Sequence, residues 1–84
     1  MDAKRGGAAV SGRRTLDDRV LDVLVDAYRL FETLPLSTVV SRARPGGHTI
    51  ERATRVREAL ARLRDRGLVE CVGQQWRPTT AVRP

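Results

Sequence analysis

The stretch T-I-E-R-A-T-R-V-R-E-A-L-A-R-L-R-D-R-G-L-V-E, Thr49 to Glu70, decides how this chain folds. Its apolar residues Ile50, Ala53, Val56, Leu60 and Leu63 recur at steps of three and four, which lines them up in one stripe along a helix of about four to five turns. The expected helix runs from Thr49, as cap, to Arg66. Gly67 stops it, because glycine takes the left-handed conformation that closes a helix without a Cβ penalty. After the stop, Leu68, Val69, Cys71 and Val72 favour an extended strand. The helix is basic as well as amphipathic: six arginines (Arg52, Arg55, Arg57, Arg62, Arg64, Arg66) stand against three acids (Glu51, Glu58, Asp65).

Downstream, the extended runs Leu68 to Val72 and Gln75 to Thr79 flank Gly73-Gln74, and glycine at the first of two turn residues predicts a type II′ hairpin. Upstream, Thr15 caps a first helix whose opening turn holds Asp17 and Asp18, where negative charge suits the helix dipole. Leu16, Val20, Val23, Leu24, Ala27, Tyr28, Leu30, Phe31 and Leu34 make its wide apolar face, and Pro35 ends it at or before Leu34. A shorter helix follows from Ser37, as cap, to about Ala43, with Val39, Val40 and Ala43 inward. Pro45, Gly46 and Gly47 cannot continue it, so Arg44 to His48 form the connection. The fold class expected is mainly α with a small β-hairpin.

The run from Arg55 to Glu70 resembles the recognition helix and first wing strand of winged helix-turn-helix proteins, in particular bacterial regulators of the MarR and ArsR type. The resemblance matches Val56, Leu60 and Leu63 to buried anchors, Gly67 to the helix stop and Leu68-Val69-Glu70 to the start of the wing. It implies a three-helix winged helix-turn-helix over residues 15–80 that binds double-stranded DNA. Arg52, Thr54, Arg55, Arg57 and Glu58 are then the nucleic-acid face. Arg55 and Arg57 are the expected base readers, since arginine pairs both acceptors of guanine, while Arg42, Arg44, Thr49 and Arg77 serve phosphates. The connection from Arg44 to His48 is longer than the usual three or four residues, and the hairpin tip carries no basic residue.

Charge points the same way. A net charge of +6 and a pI near 11.2 favour a polyanionic partner, although fifteen of the sixteen basic residues are arginine, as a GC-rich genome produces without selection for binding. The charge is polarised: Asp17, Asp18, Asp22, Asp26 and Glu32 against Arg19 and Arg29 leave −3 on residues 15–34, while every other segment is positive. Such polarity orients a protein during encounter with DNA; complementing the helix dipole accounts for part of it. Glu51 and Glu58 stand four residues before Arg55 and Arg62, so surface pairs worth about 0.2–0.5 kcal/mol each are expected. Pairs that weak do not hold an arginine away from a phosphate.

Eighty-four residues make one domain, and a core of this size rarely supplies more than roughly 3–5 kcal/mol, so a homodimer would help it. Only Tyr28, Phe31 and Trp76 are aromatic, too few for single-strand stacking platforms; Tyr28 and Phe31 are expected in the core, with Trp76 closing the base of the hairpin. Cys71 and His48 stand alone, which excludes an internal disulfide and a zinc site. No cofactor is implied, and no phosphate loop, nucleophile-base pair or apolar carboxylate pair suggests an enzyme. Neither a signal peptide nor a membrane span is visible, so a cytoplasmic location is expected. Residues 1–14 read as a disordered basic arm that either lies along DNA or contributes nothing, and residues 81–84 as a frayed end. The functional expectation is a small transcriptional regulator reading the major groove with helix 49–66. A winged-helix protein-interaction module, within a larger assembly or gripping host machinery, and RNA or ribosome binding are the alternatives.

Overall fold

The computed structural model describes residues 15–82 and places in them α1 (Leu16–Tyr28), β1 (Leu34–Pro35), α2 (Leu36–Ala43), α3 (Thr49–Asp65), β2 (Val69–Val72) and β3 (Gln75–Pro78). Three helices and a small antiparallel sheet give a mainly helical, winged-helix-like arrangement. The arm expected over residues 1–14 and the last two residues of the tail lie outside the described part. Within the tail, Val82 donates its N–H to the Thr79 carbonyl at 3.1 Å and closes a turn.

Local chemistry sets each boundary. Thr15 opens α1 with a reciprocal capping box: its hydroxyl accepts the Asp18 N–H at 3.1 Å, and the Asp18 carboxylate accepts the Thr15 N–H at 3.4 Å. The helix ends well before Pro35. Phe31 turns left-handed at φ 60°, the Phe31 N–H donates to the Tyr28 carbonyl at 2.8 Å, and the Glu32 N–H reaches back to the Ala27 carbonyl at 3.0 Å. These are the two bonds of a Schellman closure, with phenylalanine where glycine is usual. The continuous apolar face expected to Leu34 is therefore broken. Leu30 and Phe31 are 71% and 89% exposed rather than in the core, and Leu34 regains the interior from a strand.

That strand is the element the sequence pattern missed. Leu34 and Pro35 pair antiparallel with Trp76 and Gln75 of β3, so the sheet has three strands in the order β1-β3-β2 instead of a lone hairpin. Proline fits because an edge position needs no further N–H donor. Pro35 also occupies the cap position of α2, without a side-chain hydrogen bond, so this helix starts one residue before the expected Ser37 cap. Between β2 and β3, both turn residues have positive φ, Gly73 at 58° and Gln74 at 65°, which is a type I′ turn and not the expected II′.

Helix α3 meets the core through Val56, Ala59, Leu60 and Leu63, each at most 1% exposed. They pack with Val20 and Leu24 of α1, Val39 of α2 and Val69 of β2, and Trp76 covers the cluster partly buried. Ile50, expected in the stripe, is 82% exposed, and Ala59 takes its place. The reason is positional: Thr49, Ile50, Glu51 and Arg52 are all exposed, so the first turn of α3 stands clear of the core. At the far end Gly67, at φ 75°, stops the helix as expected; Gly67 N–H donates to Arg64 and Leu68 N–H to Leu63, at 2.9 and 3.0 Å.

Two substitutions test this account by thermal unfolding. Phe31→Gly removes a left-handed phenylalanine that buries little surface, and stability should rise by about 1 kcal/mol. Leu60→Ala should cost about 2–5 kcal/mol and abolish the cooperative transition. A lowered melting temperature for Phe31→Gly would contradict the strain assigned to that closure.

Candidate nucleic-acid interface

The corner between α2 and α3 is held by the side chains of α3 itself. Arg44 caps α2 in a left-handed conformation at φ 52°, and the following Pro45 is buried. Arg52 Nε donates to the Gly47 carbonyl at 2.8 Å and Arg55 Nη1 to the Gly46 carbonyl at 3.2 Å. The Glu51 carboxylate accepts the His48 N–H at 2.9 Å, which makes His48 the cap in place of the expected Thr49. Glycine is called for at position 47 by its φ of 101°, where L side chains are strained, and a Cβ there would also press on Glu51 Oε1 at 2.9 Å. The helix ends at Asp65, with Arg66 as its closing cap.

This bracing changes the ionic picture drawn from spacing alone. Glu51 is used on the backbone and does not pair with Arg55. Arg62 leaves Glu58 for Asp17 of α1: Nε donates to Oδ2 at 2.9 Å and Nη2 to Oδ1 at 2.7 Å, a two-pronged contact across 45 residues. A planar guanidinium matches a carboxylate edge to edge, and that geometry outcompetes a flexible neighbour on the same helix. Asp17 is 19% exposed at its side chain, and the hydrogen bond from Arg62 holds its carboxyl below the usual aspartate range, with burial opposing. Arg29 pairs with Asp26 at 3.6 Å, and Arg77 pairs with Glu70, directly opposite on the neighbouring strand.

What remains is a contrast between two sets of arginines. Arg29, Arg62 and Arg77 are neutralised by acids. Among the described residues Arg42, Arg44, Arg52, Arg55 and Arg57 have no ion-pair partner, and all five are exposed. The structure thus gathers four of these, Arg42, Arg44, Arg52 and Arg55, with Thr49, around the end of α2 and the projecting start of α3. Arg57 lies one turn further on, its Nη2 only 3.5 Å from the half-buried Thr54 hydroxyl, and Glu58 beside it is exposed. Arg77 is set apart in the sheet. Among the described residues Arg19, Arg64 and Arg66 also have no ion pair; Arg19 lies on α1, and Arg64 and Arg66 occupy the end of α3, where positive charge complements the dipole. Among the described residues no group of His, Cys, Asp and Glu is arranged to hold a metal, and no helix is long and apolar enough to cross a membrane.

Sequence reasoning missed Glu51 and His48 as the brace of the corner. The signal was present as glutamate three residues after a cap position, the capping-box spacing, but with histidine where serine or threonine is usual. It also missed Asp17 as the partner of Arg62, for which no local pattern exists. Comparison with protein-family models, curated proteins and solved structures returned no match.

The Asp17–Arg62 contact carries a pH signature. Because the carboxyl is depressed in the folded state, its stabilisation is complete above the unfolded aspartate value of about 3.9 and is lost as pH falls through the lower folded value. Asp17→Asn should therefore melt below the unaltered chain at pH 7, and the gap should close in an acid titration followed by circular dichroism. A gap independent of pH would show that the substitution acts through packing.

Proposed function

We propose that this chain is a double-stranded DNA-binding protein of the winged helix-turn-helix kind, a small cytoplasmic regulator that presents the first turns of α3 to a major groove. The observation that carries the reading is a cluster of arginines: Arg42, Arg44, Arg52 and Arg55, none with an acid partner among the described residues, collect where the first turn of α3 projects from the body. Unpaired guanidiniums on a protruding helix suit a dense row of phosphates and the acceptor edges beneath them. In this reading Arg57, and Arg55 with the prongs not used on Gly46, face bases. Arg42, Arg44, Thr49 and Arg52 take phosphates, with Thr54 and Glu58 beside the readers. Arg77 contributes less, since Glu70 already holds it. Two copies on a two-fold site would double the contacts.

A protein-interaction role has one observation in its favour, the exposed Leu30-Phe31 pair at the end of α1. The two readings separate in solution. For DNA binding, fluorescence anisotropy should show log affinity falling with log salt by about 0.9 per phosphate contact. Arg44→Ala should weaken all duplexes alike and reduce that slope by about one, whereas Arg57→Ala should weaken a preferred sequence by about 1–3 kcal/mol more than random DNA. Phe31→Ser should leave DNA affinity unchanged. Affinity insensitive to salt, or lost with Phe31→Ser, would overturn the DNA reading in favour of the interaction module.

A further inference from the structure

Beside the braced corner lies an open cavity of about 410 Å³ lined by Val40, Ser41, Arg44, Pro45 and Arg52. Its chemistry is one-sided. Arg44 makes no side-chain hydrogen bond or ion pair among the described residues, and Arg52 spends only Nε on Gly47, leaving both terminal nitrogens to donate. No acid lines the space; the adjacent Glu51 is held by the His48 N–H. The Ser41 hydroxyl adds a neutral donor on an exposed residue. The remaining lining residues, Val40 and Pro45, are apolar.

We infer that this cavity is a seat for a phosphate ester, with the anionic oxygens on Arg44 and Arg52 and the carbon side of the ester against Val40 and Pro45. An ester fits better than a bare ion for two reasons. The volume far exceeds one tetrahedral oxyanion, and the apolar walls offer nothing to the water shell such an ion keeps, whereas a sugar face covers them. Arg52 gives the seat a mechanical consequence, because the same guanidinium steadies the Gly47 carbonyl and so the start of α3. The seat shares Arg44 and Arg52 with the proposed DNA face and rests on that reading for one of its two sources of ligand, the backbone diester; the other is a free nucleotide or sugar phosphate.

The test has two arms on the full chain. In the first, the ¹⁵N-labelled protein is titrated with inorganic phosphate and with thymidine 5′-monophosphate at ionic strength held constant with sodium chloride. Saturable amide shifts centred on Val40, Ser41, Arg44 and Arg52 are expected, tighter for the nucleotide. Arg44→Gln should weaken them about tenfold or more, and Arg66→Gln, about 21 Å along the helix from Arg52, should leave them unchanged. Shifts spread evenly over all arginines, or absent, would overturn the seat. In the second arm, duplexes carry one neutral methylphosphonate at successive positions. One position should cost about tenfold or more while its neighbours cost little, and the penalty should vanish with Arg44→Gln. If nucleotide saturates the cavity but no duplex binds, the seat stands for free phosphate esters and the DNA reading falls. If duplexes bind with evenly spread penalties and no saturable anion site appears, the DNA reading stands and the seat falls.

Discussion

Val56, Ala59, Leu60 and Leu63 reach at most 1% exposure on a single face of α3, and full burial of a valine or leucine side chain is worth about 1.5–3 kcal/mol. The ion pair that also ties this helix down, Arg62 to Asp17, is half open to water on the arginine side, and exposed pairs typically contribute about 0–1 kcal/mol. Hydrophobic burial therefore decides the rotation of α3, and the salt bridge refines it. Once that face turns inward, the opposite face and the first turn stay exposed, touching the protein only through side chains such as Arg52 and Arg55 on the connection before the helix. The placement of Arg52, Arg55 and Arg57 outside is thus a by-product of where Leu60 must go.

Electrostatics then sort the arginines. Three acids near α3 are engaged, since Asp17 holds Arg62, Glu70 holds Arg77 and Glu51 accepts a backbone N–H, while Glu58 stays exposed beside Arg57. The consequence is that Arg42, Arg44, Arg52 and Arg55 stand together at one corner with no acid paired to them, so their positive charges add there. The brace formed by Arg52 and Arg55 on the glycine carbonyls adds order to that corner. Two guanidiniums are pre-positioned by their own chain, so less side-chain entropy remains to be lost on binding.

Much of this was legible in the sequence because the determining interactions are local. The stripe through Val56, Leu60 and Leu63, the stop at Gly67, the cap at Thr15 and the hairpin around Gly73 each depend on residues within a turn or two. The failures share the opposite property. The end of α1 at Phe31 has no signal, since a left-handed phenylalanine is chosen only when Leu34 must leave the helix to meet Trp76, far along the chain. Arg62 choosing Asp17 over Glu58 likewise needed the packing of two helices. At the site, the cluster of arginines could be read from spacing, but their use on Gly46 and Gly47 could not, because a connection of two glycines and a proline does not announce its own carbonyl directions.

The two-residue strand β1 ties the wing to the helices. Leu34 and Pro35 hydrogen-bond to a hairpin more than thirty residues later, yet they sit between the first two helices, so the sheet and the helical layer share a splice. A two-stranded ribbon by itself is marginal in water, so the third strand supports the hairpin. The wing is consequently no independent appendage: its strand β3 is the central strand of the sheet and is bonded to the segment that joins α1 to α2.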